Sequence, residues 1–234
     1  MIIGTYRQTT NHKMINFLIK FIFFLRKPKV IIVVGKGRTF TTEAIYQVLQ
    51  SHFKVEKLVE KTPNILSIFK REVFLIETDF KKPSLPRKLN HWMKSSQLPI
   101  LVVTHVGEIP SDYESFSGDR QEAIKIKELA KIVPAYGFLI LNSDDKIVQE
   151  IDNVTNLKSL TFGFQQEANF QVSDIHTNSG TNFKINYKGN IIPVWLEGLF
   201  GKEQIYGALA ASSVGIILGL NFVEISEALK KYSK

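Results

Sequence analysis

The chain has 234 residues with a normal apolar share of 44%, enough for one large domain or two small ones. It contains no cysteine, which excludes disulfides, thiolate metal sites and a cysteine nucleophile and fits a cytoplasmic protein. A formal charge of +8 favours anionic partners, either nucleotides or a lipid surface; without an aromatic-interleaved RNA motif or zinc-finger spacing, nucleic acid is not expected.

Residues 1–27 form a basic and apolar N-terminal segment. Its apolar stretch, Met14 to Leu25, is interrupted by Lys20 and followed by Arg26, Lys27 and Lys29. It is too short for a bilayer span of ~20 apolar residues. Lys20 splits it in a way that disfavours a signal peptide. Two readings remain, a helix packed on the domain and a helix lying on the inner face of a membrane. Pro28, leading directly into a strand, favours packing.

From residue 28 to 234 the chain reads as a single domain. Val30 to Val34 is a β-branched run typical of a buried parallel strand. Gly35, Lys36, Gly37, Arg38, Thr39, Thr41 and Thr42 follow, and a helix is predicted from Thr41 to His52. Strand, glycine loop, Ser/Thr and helix is the layout of a phosphate-binding loop, where backbone N–H groups and a helix N-terminus cradle an anion. The usual motif has a longer spacer between its glycines and a lysine before the Ser/Thr. Here only Lys36 separates the glycines, and Arg38 stands in the lysine's place.

Further strands are predicted at Phe53–Leu58, Val73–Glu77, Ile100–Thr104 and Phe138–Leu141, with helices at Leu85–Ser95 and Arg120–Ile132. The basic residues of 81–94 read as a solvated surface. Apolar strands separated by helices predict an α/β fold, a parallel sheet of the phosphate-loop type flanked by helices. After residue 150, short strands at Ser159–Phe164, Phe170–Ile175, Phe183–Tyr187 and Ile191–Leu196 predict a small antiparallel subregion spanning 159–196. An apolar helix, Gln204–Leu218, is stopped by Gly219, and Phe222–Tyr232 forms a last helix.

Four segments together resemble the central ATP-binding domain of the Mur ligases. Gly198 to Ala211 is similar to the family's Gly-x-His-Asn-x-x-Asn-Ala-Leu-Ala-Ala segment. Leu218 to Asn221, with Ile225 to Leu229, resembles the helix closing that domain. Leu139 to Asp145 resembles its Val-Leu-Asn-x-Asp-Asp strand end, and Val103 to Glu108 its Thr-Asn-Ile-Gly-x-x-His segment. The resemblance covers about residues 28 to 232, and is nearest to the branch that adds D-alanyl-D-alanine to the muramoyl tripeptide.

The resemblance implies an ATP- and Mg²⁺-dependent ligase that activates a carboxylate as an acyl phosphate and forms an amide in peptidoglycan-precursor synthesis. It implies nucleotide contacts at Gly35, Lys36, Gly37, Arg38, Thr39, Thr41, Asn142, Asp145 and Gln204. Thr39 and Glu77 would hold Mg²⁺, although Glu77 also reads as a strand-end carboxylate with no ligand. Arg38, in the lysine's place, and Lys127 are the catalytic candidates. Lys127 lies beside Ile126, which a gapless register puts at the family's carbamylated lysine, and it also reads as a solvated lysine. The family's metal-binding histidine falls at Pro110 or Ser111, and its His-Asn pair becomes Glu203-Gln204. Its substrate-binding N-terminal domain and its C-terminal domain have no counterpart here. The expectation is a site completed by a separate protein, or a pseudoenzyme retained as a nucleotide- or protein-binding module or membrane-surface scaffold.

Overall fold

A computed structural model describes residues 17–61, 63–79, 85–106, 120–153 and 155–233. One nine-stranded sheet runs through it in the order β2-β3-β1-β4-β5-β6-β7-β8-β9. β1 (Lys29–Val34) lies between β3 (Val73–Glu77) and β4 (Pro99–Val103), parallel to both, with Ile31 opposite Leu75 and Ile100. β2 (Val55–Val59) extends one side through β3; β5 (Phe138–Asn142) and β6 (Lys158–Gly163) extend the other, all parallel.

Period-two side-chain alternation assigns each central strand to two cores. Ile31, Val33, Val73, Leu75, Ile100, Val102 and Ile140 point to one face, which α2 (Arg38–Leu49), α7 (Lys202–Ile217) and α8 (Phe222–Lys230) cover. Val30, Ile32, Val34, Phe74, Ile76, Leu101, Val103, Leu139 and Leu141 point to the other. Helical residues 17–26 (α1), α3 (Ile65–Lys70), α4 (Leu85–Ser95), α5 (Arg120–Lys131) and α6 (Lys146–Asn153) cover that second face. Burial on both sides is why these strands read as continuous apolar runs. Each fully buried Val, Leu or Ile contributes roughly 1.5–3 kcal/mol.

The antiparallel part comprises β7 (Phe170–Thr177), β8 (Gly180–Tyr187) and β9 (Asn190–Glu197). It starts later than the predicted residue 159. Lys158–Gly163 joins the parallel sheet because α6 supplies a right-length crossover from β5. α3 and α6 are the elements absent from the sequence prediction. α3 is only a short helix, fixed by a capping box between Asn64 and Ser67. Gly219, at φ 88°, ends α7 as predicted: Leu220 N–H donates to Gly215 O at 2.9 Å and Gly219 N–H to Ile216 O at 3.1 Å.

α1 packs through Phe23, fully buried, against Trp92 at 4.4 Å and Phe74 at 6.0 Å between ring centroids. Met14 to Asn16 of the predicted apolar stretch lie outside the described residues. Among the described residues no helix is long and apolar enough to cross a membrane.

Candidate functional site

Parallel strands place all their C-terminal ends at one edge. β1 sits where the chain turns from β2 and β3 on one side to β4 and β5 on the other, the position where α/β sheets open a binding crevice. The loop Gly35–Lys36–Gly37 leaves β1 there. Lys36 N–H donates to His105 O at 2.8 Å, and Thr104 Oγ1 donates to Val34 O at 3.0 Å and also to Lys36 O. Gly35 has φ 100°, and a Cβ on it would lie 2.5 Å from Thr104 Oγ1 and 2.6 Å from His105 O. Only glycine lets the loop lie this close to the end of β4.

Gly37 is the N-cap of α2, left-handed at φ 71°, and no side chain caps the helix. Orphan first-turn N–H groups with the positive end of the helix dipole are therefore presented at this edge. Lys36 is exposed beside them.

Arg38 opens α2. Its Nη2 donates to Asp79 Oδ2 at 2.9 Å and its Nη1 to Gly35 O at 3.2 Å, while Nε lies 3.7 Å from Glu77 Oε1. Thr39 Oγ1 donates to Glu77 Oε1 at 2.7 Å. The structure thus brings together Gly35, Lys36, Gly37, Arg38, Thr39 and Glu77, as predicted from the chain. It adds Asp79, which the sequence reading missed. A usable signal existed: Glu77 and Asp79 are two apart, so an extended chain points both to the α2 side.

Glu203 is a third carboxylate near the loop, its Cδ 3.8 Å from where a Cβ on Gly37 would be. His105 Cε1 packs on the same glycine at 3.1 Å from that point. Burial, with help from the Lys36 charge, lowers the His105 pKa to about 4, so the imidazole is neutral near pH 7.

The other predicted residues take different places. Thr41 is buried in α2, where Gly207 of α7 approaches: a Cβ on Gly207 would lie 3.4 Å from Thr41 N and 3.2 Å from Phe40 O. Asp145 caps α6 and reaches the end of β4. Its Oδ1 accepts from Ile147 N–H at 2.8 Å and Val148 N–H at 3.3 Å, and its Oδ2 from Val106 N–H at 2.6 Å. Burial raises its pKa, and these three donors oppose the rise. Asn142 is buried at the end of β5; its Oδ1 accepts from Asp144 N–H at 2.9 Å, while its Nδ2 has no hydrogen-bond partner. Gln204, with its amide oriented to suit its neighbours, donates to Phe200 O at 2.9 Å and Gly201 O at 3.2 Å.

Lys127, the other catalytic candidate, sits elsewhere. It lies on α5, in the helical layer opposite α2, and its Nζ pairs with Glu150 Oε2 at 2.6 Å. That bond lowers the Glu150 pKa and ties α5 to α6. Ile126 beside it is core. Pro110 and Ser111 lie outside the described residues, as does the 81–84 part of the basic cluster.

The same cluster tests the fit of Mg²⁺. Thr39 and Glu77 offer hard oxygen atoms, but they are bonded to each other and Arg38 already supplies the compensating positive charge. Among the described residues no group of three His, Cys, Asp or Glu is placed to hold a metal. As arranged, these residues fit an anion at the loop and do not fit a divalent cation.

Comparison with known proteins agrees with this layout. The Mur ligase middle domain family matches residues 35–215. The UDP-N-acetylmuramate–L-alanine ligase of Dictyoglomus turgidum is 29% identical over 219 residues, covering 89% of this chain and 44% of that protein. The corresponding Aquifex aeolicus ligase is 26% identical over 138 residues, covering 58% of this chain and 30% of the relative. The chain thus spans less than half the length of these relatives. Among solved structures, the Thermotoga maritima MurF ligase in complex with ADP superposes with a TM-score of 0.67 at 20% identity, covering 92% of this chain and 51% of that one. A pseudomurein peptide ligase type C from Methanothermus fervidus gives a TM-score of 0.64 at 21% identity, covering 89% and 50%. The solved structures include the branch named from the sequence motifs, and the curated sequences extend to the L-alanine-adding branch.

Proposed function

The chain belongs to the Mur ligase middle-domain family, and on that premise we propose that it binds the phosphates of an adenine nucleotide as the central domain of an amide-forming ligase of peptidoglycan-precursor synthesis. The observation that carries this reading is the uncapped N-terminus of α2 behind the Gly35–Gly37 loop, at the sheet's switch point, with Arg38 at its first helical position. ATP would supply the phosphoryl group that activates a carboxylate. The backbone amides of Gly37, Arg38 and Thr39 would face its phosphates, with Lys36 adding charge. Asn142 Nδ2 is an unpaired amide at the same edge, and Gln204 would have to leave Phe200 O and Gly201 O to reach the nucleotide.

Arg38 has two roles in this reading. Before binding, its guanidinium neutralises Glu77 and Asp79. On binding, it turns to the phosphate oxygens, for which its planar fork is suited. The site therefore carries its own cation, and nucleotide affinity depends little on Mg²⁺. A metal at Thr39 and Glu77 would first have to displace Arg38. The remaining substrate groups would come from further ligase domains that complete the site. Ligation needs two positioned substrates as well as the phosphoryl donor. The Arg38–Glu77–Asp79 cluster favours a binding role over independent turnover.

Calorimetric titration with ADP tests this. The expected result is a Kd of about 10–50 μM, or roughly −6 to −7 kcal/mol, changing less than about threefold between EDTA and excess Mg²⁺. No heat up to millimolar ADP in either condition would overturn the reading.

A further inference from the structure

α1 is apolar on two sides. Ile19, Ile22 and Phe23 face the core, while Phe17, Leu18, Phe21, Phe24 and Leu25 face outward. At 100° per residue the outward set covers an arc of about 120° opposite Phe23. Phe17 is 70% exposed and stacks on Phe21 at 6.5 Å between ring centroids. A helix that is apolar all round normally has both sides covered.

α3 continues the same surface. Arg26, at the end of α1, donates from Nη2 to Phe69 O at 3.0 Å, which puts the ends of the two helices side by side. Leu66 and Phe69 point outward from α3, 68% and 53% exposed. With rings and aliphatic side chains about half exposed, the patch is on the order of 600 Å², at the upper end of what a monomer shows.

The charge around it has one sign. Residues 17–29 contain Lys20, Arg26, Lys27 and Lys29 and no carboxylate. Lys70 and Arg71 end α3, followed by Glu72. None of Lys20, Arg26, Lys27, Lys70 and Arg71 has a carboxylate partner among the described residues. Lys27 instead lies over the Phe24 ring, 5.7 Å from its centroid, keeping its charge at the edge of the apolar surface. A neutral protein groove has no use for this rim, and a second copy of the face would bring like charges together. Headgroup phosphates above acyl chains match both features.

We propose that the α1–α3 face docks the protein on an anionic lipid surface, with the aromatic and leucine side chains at the headgroup–acyl boundary and the lysines and arginines on the phosphates. Arg26, Lys27, Arg71 and Lys29 gather where β1 and β3 begin. The phosphate loop lies where those strands end, so docking leaves the crevice open. This proposal is independent of nucleotide binding.

The test is co-sedimentation of the full chain with vesicles of equal parts phosphatidylglycerol and phosphatidylcholine, compared with phosphatidylcholine alone. Binding to the mixed vesicles is expected to be at least about tenfold tighter and to weaken in 1 M salt, where the Debye length falls to ~3 Å. Phe21→Glu with Phe69→Glu abolishes pelleting. Both side chains are exposed, so thermal unfolding of that variant stays as in the parent. A Lys20→Glu, Lys27→Glu variant loses the preference for anionic vesicles while still folding. Protein left in the supernatant would overturn the proposal, as would equal binding to both vesicle types. So would a dimeric mass by light scattering that the Phe21→Glu, Phe69→Glu variant halves, which assigns the face to a second copy.

Discussion

Replacing Asp79 with asparagine should strengthen nucleotide binding, and the structure sets the size of the effect. Arg38 Nη2 lies 2.9 Å from Asp79 Oδ2, with side chains 23% and 14% exposed. A charge-assisted hydrogen bond contributes roughly 1.5–3 kcal/mol, and partial solvent screening brings this pair to about 1–1.5 kcal/mol. A phosphate that recruits Arg38 must first break that bond, so its loss returns the same energy to binding. At ~1.4 kcal/mol per factor of ten, the ADP Kd should fall about tenfold. Asp79→Asn also removes a negative charge near the nucleotide, contributing ~0.5 kcal/mol at about 8 Å in a water-like dielectric, or about twofold. The double-mutant cycle separates the two. Measured by ADP calorimetry at constant ionic strength, Asp79→Asn should gain about twentyfold in the parent chain and only about twofold in an Arg38→Ala background. Arg38→Ala alone should lose at least about tenfold. Equal gains in both backgrounds, or no gain in the parent, would refute the competition between Asp79 and phosphate for Arg38.

Three further outcomes follow from the same geometry. His105 has a folded pKa of about 4, below the ordinary imidazole value of 6.5, so protonation favours the unfolded chain between those pH values. Stability is fully present above about pH 6.5 and falls by up to ~3 kcal/mol as pH drops to 4; urea titrations should show His105→Gln losing this slope. Gly207→Val pushes a side chain against Phe40 O, 3.2 Å from the added Cβ, and overpacking of this kind costs about 1–3 kcal/mol. Differential scanning calorimetry should show a Tm lowered by roughly 3–10 °C, with weaker ADP binding because α2 is displaced. Lys127→Ala breaks only the exposed Glu150 pair, so ADP affinity should stay within about twofold; a larger loss would restore Lys127 to the site.

The sequence was most legible where burial was most complete. Val30–Val34, Val73–Ile76, Ile100–Val103 and Phe138–Leu141 are apolar throughout because helices cover both faces, and a run of that kind has few other readings. The glycine loop was legible because backbone conformation dictated the residue: Gly35 and Gly37 sit at positive φ. β6 was placed with the antiparallel strands because its half-exposed pattern carries no direction of pairing. That direction depends on α6, a helix too short to read clearly. The placement of Lys127 was hidden for a related reason. Helical spacing puts Lys127 and Ile126 on different sides, but only packing shows which side meets the crevice. The capping role of Asp145 was not legible because capping residues and nucleotide contacts draw on the same Asn and Asp chemistry. The ion pairs of Arg38 with Glu77 and Asp79 join residues far apart in sequence, and no local pattern announces them.

The most direct test is an amide NMR titration of the full chain with ADP, in EDTA and then with Mg²⁺. The predicted result is that the largest shifts fall on Gly35, Lys36, Gly37, Arg38 and Thr39, with the Arg38 side-chain resonance moving alongside them and the pattern changing little when Mg²⁺ is added. Shifts confined to other surfaces, or none at millimolar ADP, would contradict a nucleotide-phosphate site at the N-terminus of α2.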